Sequence, residues 1–177
     1  MDYKTIGDIY GANDKILKRF VETVRSLSDE QAALQTENGK WTVEHLVEHV
    51  AVVYRGMTGI SAKLLSKAEA EGKTSDGSAH PSGTFMAAVS NAGNQKFDAP
   101  EAVAPKGDKS ISESLDLLDR SKNDLDALRE KFESVSGTEA FFPHPAFGQL
   151  NAHDWLILVG EHVARHNAQL HKILENN

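Results

Sequence analysis

Residues 151–174 read NAHDWLILVGEHVARHNAQLHKIL, and this segment gives the clearest indication of the fold class. Its apolar residues recur at the spacing of an α-helix and not of a strand. Asn151 is a typical N-cap residue, and Asp154 follows it three positions later. The stretch therefore predicts a helix from Asn151 to about Leu174. The predicted buried side carries Trp155, Val159, Val163, Leu170 and Ile173.

Three other long segments show the same periodicity, and no convincing period-2 strand is present. These predicted helices cover residues 6–27, 42–70 and 110–132. A short helix is expected between Ser28 and Gln35, followed by a turn at Asn38-Gly39. The pattern predicts an all-α protein, most simply an up-down four-helix bundle formed by residues 1–177 as one domain.

A long excursion separates the second and third long helices. Residues 72–108 are rich in Gly, Ser, Pro and Ala, and a short helix is expected within them at 82–92. Such an excursion either covers a pocket or is a variable, exposed insertion. A second linker, residues 134–150, contains several aromatic side chains and is expected to pack over one end of the bundle.

Composition excludes several classes of function. The net charge is −7, with 19 Lys and Arg against 26 Asp and Glu, which argues against a nucleic-acid partner. The absence of cysteine excludes disulfides and a cysteine nucleophile, so any thiol would have to arrive with a substrate. The N-terminus lacks a signal pattern and no apolar run is long enough to span a membrane, so we expect a cytoplasmic protein without a membrane partner.

Two histidines on the last predicted helix suggest a metal site. His162 and His166 are four residues apart, which places both side chains on one helical face about 6 Å apart. Both lie within about 60° of the centre of the apolar stripe. His153 and His171 lie about 120° from that centre and are expected to meet solvent.

His49 on the second long helix is the best candidate for a third ligand. It lies about 80° from the apolar stripe of its helix, whereas His45 lies about 120° away and is expected at the surface. Three imidazoles with open positions are typical of a catalytic metal centre. The alternative is that these are hydrogen-bonded core histidines, although unpaired imidazoles are costly to bury. His144, in the aromatic linker, is a weak catalytic candidate, as is Glu161.

Several motifs carry a family resemblance. The stretch from Trp41 to His49 resembles the Trp-Ser-x-x-Glu-x-x-x-His opening of the second helix in DinB-like proteins, the group that includes YfiT-type proteins. His162-x-x-x-His166, followed by Gln169-Leu170, is similar to the His-x-x-x-His-x-x-Gln-Ile ending of that family. Residues 144–150 and 154–156 resemble the loop and helix start that precede this ending.

The resemblance implies a four-helix bundle that holds a divalent metal through His49, His162 and His166. Zinc and nickel are the expected ions, although three imidazoles also suit iron and copper. Family members with an assigned role include transferases that activate bacillithiol or mycothiol at the metal. The resemblance thus implies a thiol S-transferase with a small-molecule substrate, with a metal-dependent hydrolase or a non-catalytic metal-stabilised binding protein as alternatives.

Two further expectations concern the surroundings of the site. A homodimer formed through an exposed helix face is compatible with the sequence. Ligand histidines are usually oriented by a hydrogen bond to the second ring nitrogen, and Glu48, Asn167 and Gln169 all have suitable chemistry. The sequence does not distinguish among these three.

Overall fold

The computed structural model describes residues 3–37, 39–91 and 99–177. In chain order its elements are α1 (Ile6–Arg25), α2 (Asp29–Ala32), α3 (Val43–Ala70), α4 (Gly83–Asn91), a 3-10 turn (Glu101–Val103), α5 (Ile111–Ala127), α6 (Arg129–Ser134), β1 (Phe142–His144), β2 (Gly148–Leu150) and α7 (Ala152–Glu175). Among these residues, no helix is both long and apolar enough to cross a membrane.

The four long helices α1, α3, α5 and α7 form the predicted bundle. α7 packs against α1 and α3, and α3 also packs against α5. α1 and α5 are joined by a hydrogen bond of 2.7 Å, in which the Tyr10 hydroxyl donates to the Leu125 carbonyl. The stripe predicted for the last helix is confirmed, since all five of its apolar side chains are buried. Burial of these stripes is the main force that holds the bundle together.

The helices begin where local chemistry predicts. The helices α1, α2, α3, α5 and α7 each begin with a capping box, in which the cap side chain accepts a backbone N–H and the residue three positions later bonds back to the cap. The cap residues are Thr5, Ser28, Thr42, Ser110 and Asn151. The box at Thr42 is unusual because its partner is His45, whose Nδ1 accepts the Thr42 N–H at 3.3 Å. His45 thereby takes the place that Glu or Gln usually has.

The third predicted helix is interrupted near its end. It was expected to reach about Phe132 without a break, but α5 ends at Ala127 and α6 begins at Arg129. The Leu125 carbonyl, which would accept the N–H of Arg129 in a continuous helix, instead accepts the Tyr10 hydroxyl and the Leu128 N–H. A tertiary hydrogen bond therefore coincides with the break.

The sequence shows no convincing period-2 strand, but the structure contains two short ones. β1 and β2 form an antiparallel hairpin in which Phe142 pairs with Leu150 and His144 pairs with Gly148. Strands of three residues are too short to show a period of two. The hairpin packs its aromatic residues near the start of α7, with the Phe142 ring 6.1 Å from that of Trp155, although Phe141 and Phe142 stay largely exposed.

Within the long excursion, the short helix expected at residues 82–92 is present as α4, although Ala92 lies outside the described residues. Asn38 of the predicted turn also lies outside them. Gly39 has a φ of +64°, in the left-handed region that glycine adopts without strain.

A close approach between α1 and α7 requires glycine at position 160. The Asn13 side chain is buried and donates from Nδ2 to the Leu156 carbonyl at 2.8 Å. A Cβ added at Gly160 would lie 2.0 Å from Asn13 Oδ1. The alanine side chain would thus displace a buried, hydrogen-bonded amide.

We therefore expect Gly160→Ala to lower the free energy of unfolding by about 1–3 kcal/mol, as overpacking does. Gly56→Ala is the control, because a Cβ there meets nothing within 4 Å on the exposed side of α3. It should stabilise the protein by about 0.5–1 kcal/mol. Urea unfolding measures both. Equal stability of Gly160→Ala and the wild type would contradict this account. When Asn13→Ala is added to the Gly160→Ala variant, part of the lost stability should return, because the clashing side chain is gone.

Candidate metal centre

The bundle brings three histidines from two helices together. His49 lies in the second turn of α3, and His162 and His166 lie near the middle of α7. Each offers one ring nitrogen, and these three nitrogens all lie within 4.8 Å of one another. The Nε2 atoms of His49 and His162, 113 residues apart in sequence, are separated by 3.2 Å. Nitrogen ligands of a tetrahedral zinc ion lie roughly 3.4 Å apart, so the cluster has the dimensions of a metal site.

Two of the three imidazoles are oriented by hydrogen bonds at their outer nitrogens. His49 Nδ1 lies 2.8 Å from the Val103 carbonyl, and His166 Nδ1 lies 2.9 Å from Gln169 Oε1. Both partners are acceptors, so each Nδ1 carries the hydrogen and each Nε2 keeps a free electron pair. Of the three orienting residues suggested by the sequence, Gln169 is the one that reaches a ligand imidazole. Asn167 does not, and its buried Oδ1 has no hydrogen-bond partner.

Burial keeps the cluster uncharged. It lowers the pKa of His49, and it lowers the pKa of His166 to about 3. The pKa of His162 lies well below its usual value, because of burial and because of the neighbouring His166 and His49. The three imidazoles are therefore neutral and each keeps an electron pair. Metal binding requires deprotonated ligands of this kind. The donor set therefore fits a divalent ion such as zinc or nickel.

The end of the long excursion lies against this site. Val103, which receives the His49 hydrogen bond, belongs to the 3-10 turn before α5. Glu48, next to His49 on α3, is 1% exposed and accepts the backbone N–H groups of Lys106 and Gly107. The last part of the excursion is thus attached to α3 through Val103, Lys106 and Gly107, although Lys106 and Gly107 stay exposed at the surface.

His45 does not belong to the cluster. Its Nδ1 is engaged in the capping box with Thr42, and its Nε2 faces Gly107, where an added Cβ would lie 2.7 Å away. The expectation of a surface position is only partly right, because the returning loop leaves His45 half-buried. His49 is therefore the histidine of this pair that the structure brings to His162 and His166.

His144 lies outside the cluster, in the hairpin. Its Nδ1 accepts the N–H groups of Ala146 and Phe147 at 3.1 and 3.3 Å, so in the neutral ring the hydrogen is on Nε2. Its ring lies 4.8 Å from that of Phe147 and 5.5 Å from that of Trp155. Burial lowers its pKa, and its charge would further lower that of His162. His144 can donate a hydrogen bond but has no free nitrogen to act as a base.

Glu161 is half-buried, and burial raises its pKa. It also raises the pKa of Tyr3 by its charge, which places it on the side of α7 that faces the N-terminal segment. Glu161 therefore lies near Tyr3, and the contacts of the described residues do not bring it to the histidine cluster.

The expectation that His153 meets solvent was wrong, since this side chain is 1% exposed. Helical periodicity assumes one buried side, but every residue from Ala152 to Gly160 is buried. His153 Nδ1 accepts the His80 N–H at 3.0 Å, and burial with the nearby His80 lowers the pKa of His153 to about 4. His171 is exposed, as expected.

Comparisons with known proteins agree with this fold. The model of the DinB superfamily matches residues 12–170. The chain is similar to the uncharacterized protein YuaE of Bacillus subtilis (strain 168), with 25% identity over 158 residues that cover 86% of this chain and 88% of that protein. The crystal structure of TT2238, a four-helix bundle protein, matches with a TM-score of 0.56 at 21% identity, covering 98% of this chain and all of that one. The last likeness shows the fold alone.

The burial of His153 predicts a pH dependence of stability. Its folded pKa of about 4 lies below the value of about 6.5 in an unfolded chain, so between these values only the unfolded state binds the proton. Stability should therefore fall as the pH drops from about 6.5 towards 4.

The variant His153→Gln keeps an acceptor for the His80 N–H but cannot titrate. With chelator present, its unfolding free energy should fall less steeply between pH 6 and 5 than that of the wild type. The difference between the two slopes should be about 1.4 kcal/mol per pH unit at most, which corresponds to one proton. Identical slopes in the variant and the wild type would contradict the assignment.

Proposed function

This chain belongs to the DinB superfamily, and we propose that it is a metal-dependent enzyme that transfers a low-molecular-weight thiol to a small electrophilic substrate. The observation that carries the proposal is the cluster of His49, His162 and His166, whose ligand nitrogens lie within 4.8 Å of one another. Three imidazoles leave coordination positions open, as in catalytic sites.

The three histidines would hold the ion, and their partners would keep them in place. Val103 and Gln169 accept the Nδ1 hydrogens of His49 and His166, which leaves the Nε2 electron pair of each ring available to the ion. A divalent ion with three neutral ligands keeps its full charge and, when bound, would lower the pKa of a thiol or a water molecule. The Trp41 ring, 5.0 Å from that of His49, covers one side of this ligand.

A thiol fits the surrounding residues better than water does. Attack by water generally requires a base, and the nitrogen of His144 that could accept a proton already accepts two backbone N–H groups. A thiol, with a pKa of about 8.5, gives up its proton far more easily than water does. Since the chain has no cysteine, the thiol has to be a separate molecule.

The proposed transfer balances without another reactant. The thiol proton passes to solvent, the sulfur electron pair forms a bond to the electrophilic carbon, and the leaving group departs with its bonding pair. In this scheme His144 contributes its Nε2 hydrogen as a donor to the substrate. It does not act as the base.

Metal analysis tests the ligand set. The wild type should bind one divalent ion, and His49→Ala, His162→Ala and His166→Ala should each lose most of it while keeping a helical circular dichroism spectrum. His171→Ala, which removes an exposed histidine from α7, is the matched control and should keep the metal. Failure of the wild type to bind zinc, nickel or cobalt would overturn the proposal, as would full metal retention in all three variants.

Cobalt substitution tests the thiol. Adding a low-molecular-weight thiol to the Co(II) protein should produce a near-ultraviolet charge-transfer band, and no protein cysteine can contribute to it. The thiol should then be consumed when an electrophile such as an alkyl halide is added, measured with a thiol-reactive dye. Absence of both band and consumption would contradict thiol transfer, and metal-dependent ester cleavage without thiol would indicate a hydrolase instead.

A further inference from the structure

Glu48 is a buried carboxylate beside the metal candidate His49, but its oxygens are bonded elsewhere. Its side chain is 1% exposed. Because successive residues of a helix project about 100° apart, Glu48 and His49 leave α3 in different directions. Oε1 accepts the N–H of Lys106 at 3.1 Å and Oε2 accepts the N–H of Gly107 at 2.9 Å. The ammonium of Lys109 lies 3.7 Å from Oε1.

All of these partners belong to one short segment, residues 100–109, which we call the strap. Burying a carboxylate is costly unless it is hydrogen-bonded, and here both hydrogen bonds come from the strap. Lys109 adds a positive charge that Glu48 shares with Asp108, which lies closer to the ammonium. Removing Glu48 would take away the acceptor of two strap N–H groups, whereas displacing the strap would leave the buried carboxylate without those hydrogen bonds. The two therefore depend on each other.

The strap also holds a ligand of the candidate site. Val103 lies three residues before Lys106, and its carbonyl accepts the Nδ1 hydrogen of His49 at 2.8 Å. Neighbouring residues of α3 thus hold the strap at two points: Glu48 at Lys106 and Gly107, and His49 at Val103. Where the carbonyl lies determines which nitrogen of His49 is free and how the ring is turned.

We propose that Glu48 is a positioning residue for the metal centre, which acts by seating the strap so that the Val103 carbonyl orients His49. The inference rests on the proposed function in that it concerns the same site. Glu48 itself does not bind the ion in this arrangement, because both of its oxygens are directed to the strap.

A substitution at Gly107 disturbs the contact between the strap and Glu48 without altering Glu48 itself. Its φ is +69°, and a Cβ there would lie 2.7 Å from His45 Nε2. An alanine at this position would be strained and would press against α3. Gly107→Ala should therefore displace the strap without changing Glu48 or any of the three histidines.

The first experiment measures metal affinity by competition with a chelator, on folded protein, for Glu48→Ala, Glu48→Gln and Gly107→Ala. We expect Glu48→Ala to weaken binding by about 10–100-fold, as loss of orienting groups does. Glu48→Gln should lose less because its amide oxygen still accepts one N–H group, and Gly107→Ala should also bind more weakly. Glu44→Gln, one turn earlier on α3, is the matched control and should stay within about twofold, since it leaves the strap contacts intact.

A purely stabilising role is distinguished by a second pair of measurements. It would lower the melting temperature of Glu48→Ala but leave the metal affinity and the Co(II) absorption spectrum of the folded variant unchanged, which would overturn the inference. If Glu48 acts as proposed, both the affinity and the spectrum change.

A third measurement needs no metal and so separates this inference from the proposed function. In the metal-free protein, nitrogen NMR shifts should show His49 with its hydrogen on Nδ1, and Glu48→Ala should convert it to a mixture of tautomers. An unchanged tautomer would contradict the inference even if the wild type binds metal. A changed tautomer in a protein that binds no metal would support Glu48 as a positioning residue and overturn the proposed function alone.

Discussion

The packing of α3 against α7 is the constraint on which the candidate site depends. It brings His49 to His162 and His166, and it buries the rings that must stay unprotonated. A cluster of three imidazoles would be unfavourable in a core without partners, because each buried polar group needs a hydrogen bond. Here Val103 and Gln169 satisfy the outer nitrogens of His49 and His166, which leaves the inner nitrogens of these two rings for the cluster.

The loops are as important to the site as the bundle. The strap lies across α3 through Glu48 and His49, and the hairpin places His144 between Phe147 and Trp155. Both segments are irregular or short, yet each is fixed by side chains of a long helix. The helices therefore supply the three histidines, and the loops orient one of them, His49, and form part of the surroundings of the site, as is common for functional sites.

Local sequence chemistry explains the architecture well. The helices predicted to open at Ser28, Thr42, Ser110 and Asn151 begin there, and the apolar spacing in α7 identifies the side that faces the bundle. The same reasoning failed for His153, because the first part of α7 is covered on all sides and helical periodicity cannot report burial by loops. It also missed the hairpin, whose strands are too short to show a pattern.

The four long helices, their bundle and the three candidate histidines can be predicted from the chain, because capping, apolar periodicity and the i,i+4 spacing are local properties. The groups that orient those histidines are apparent only once the chain is folded. Gln169 is close to His166 in sequence, but Val103 reaches His49 from 54 residues away, and Glu48 holds residues 58 and 59 positions distant. Contacts of this kind depend on how a loop returns to the core, and no local preference of the chain encodes that path.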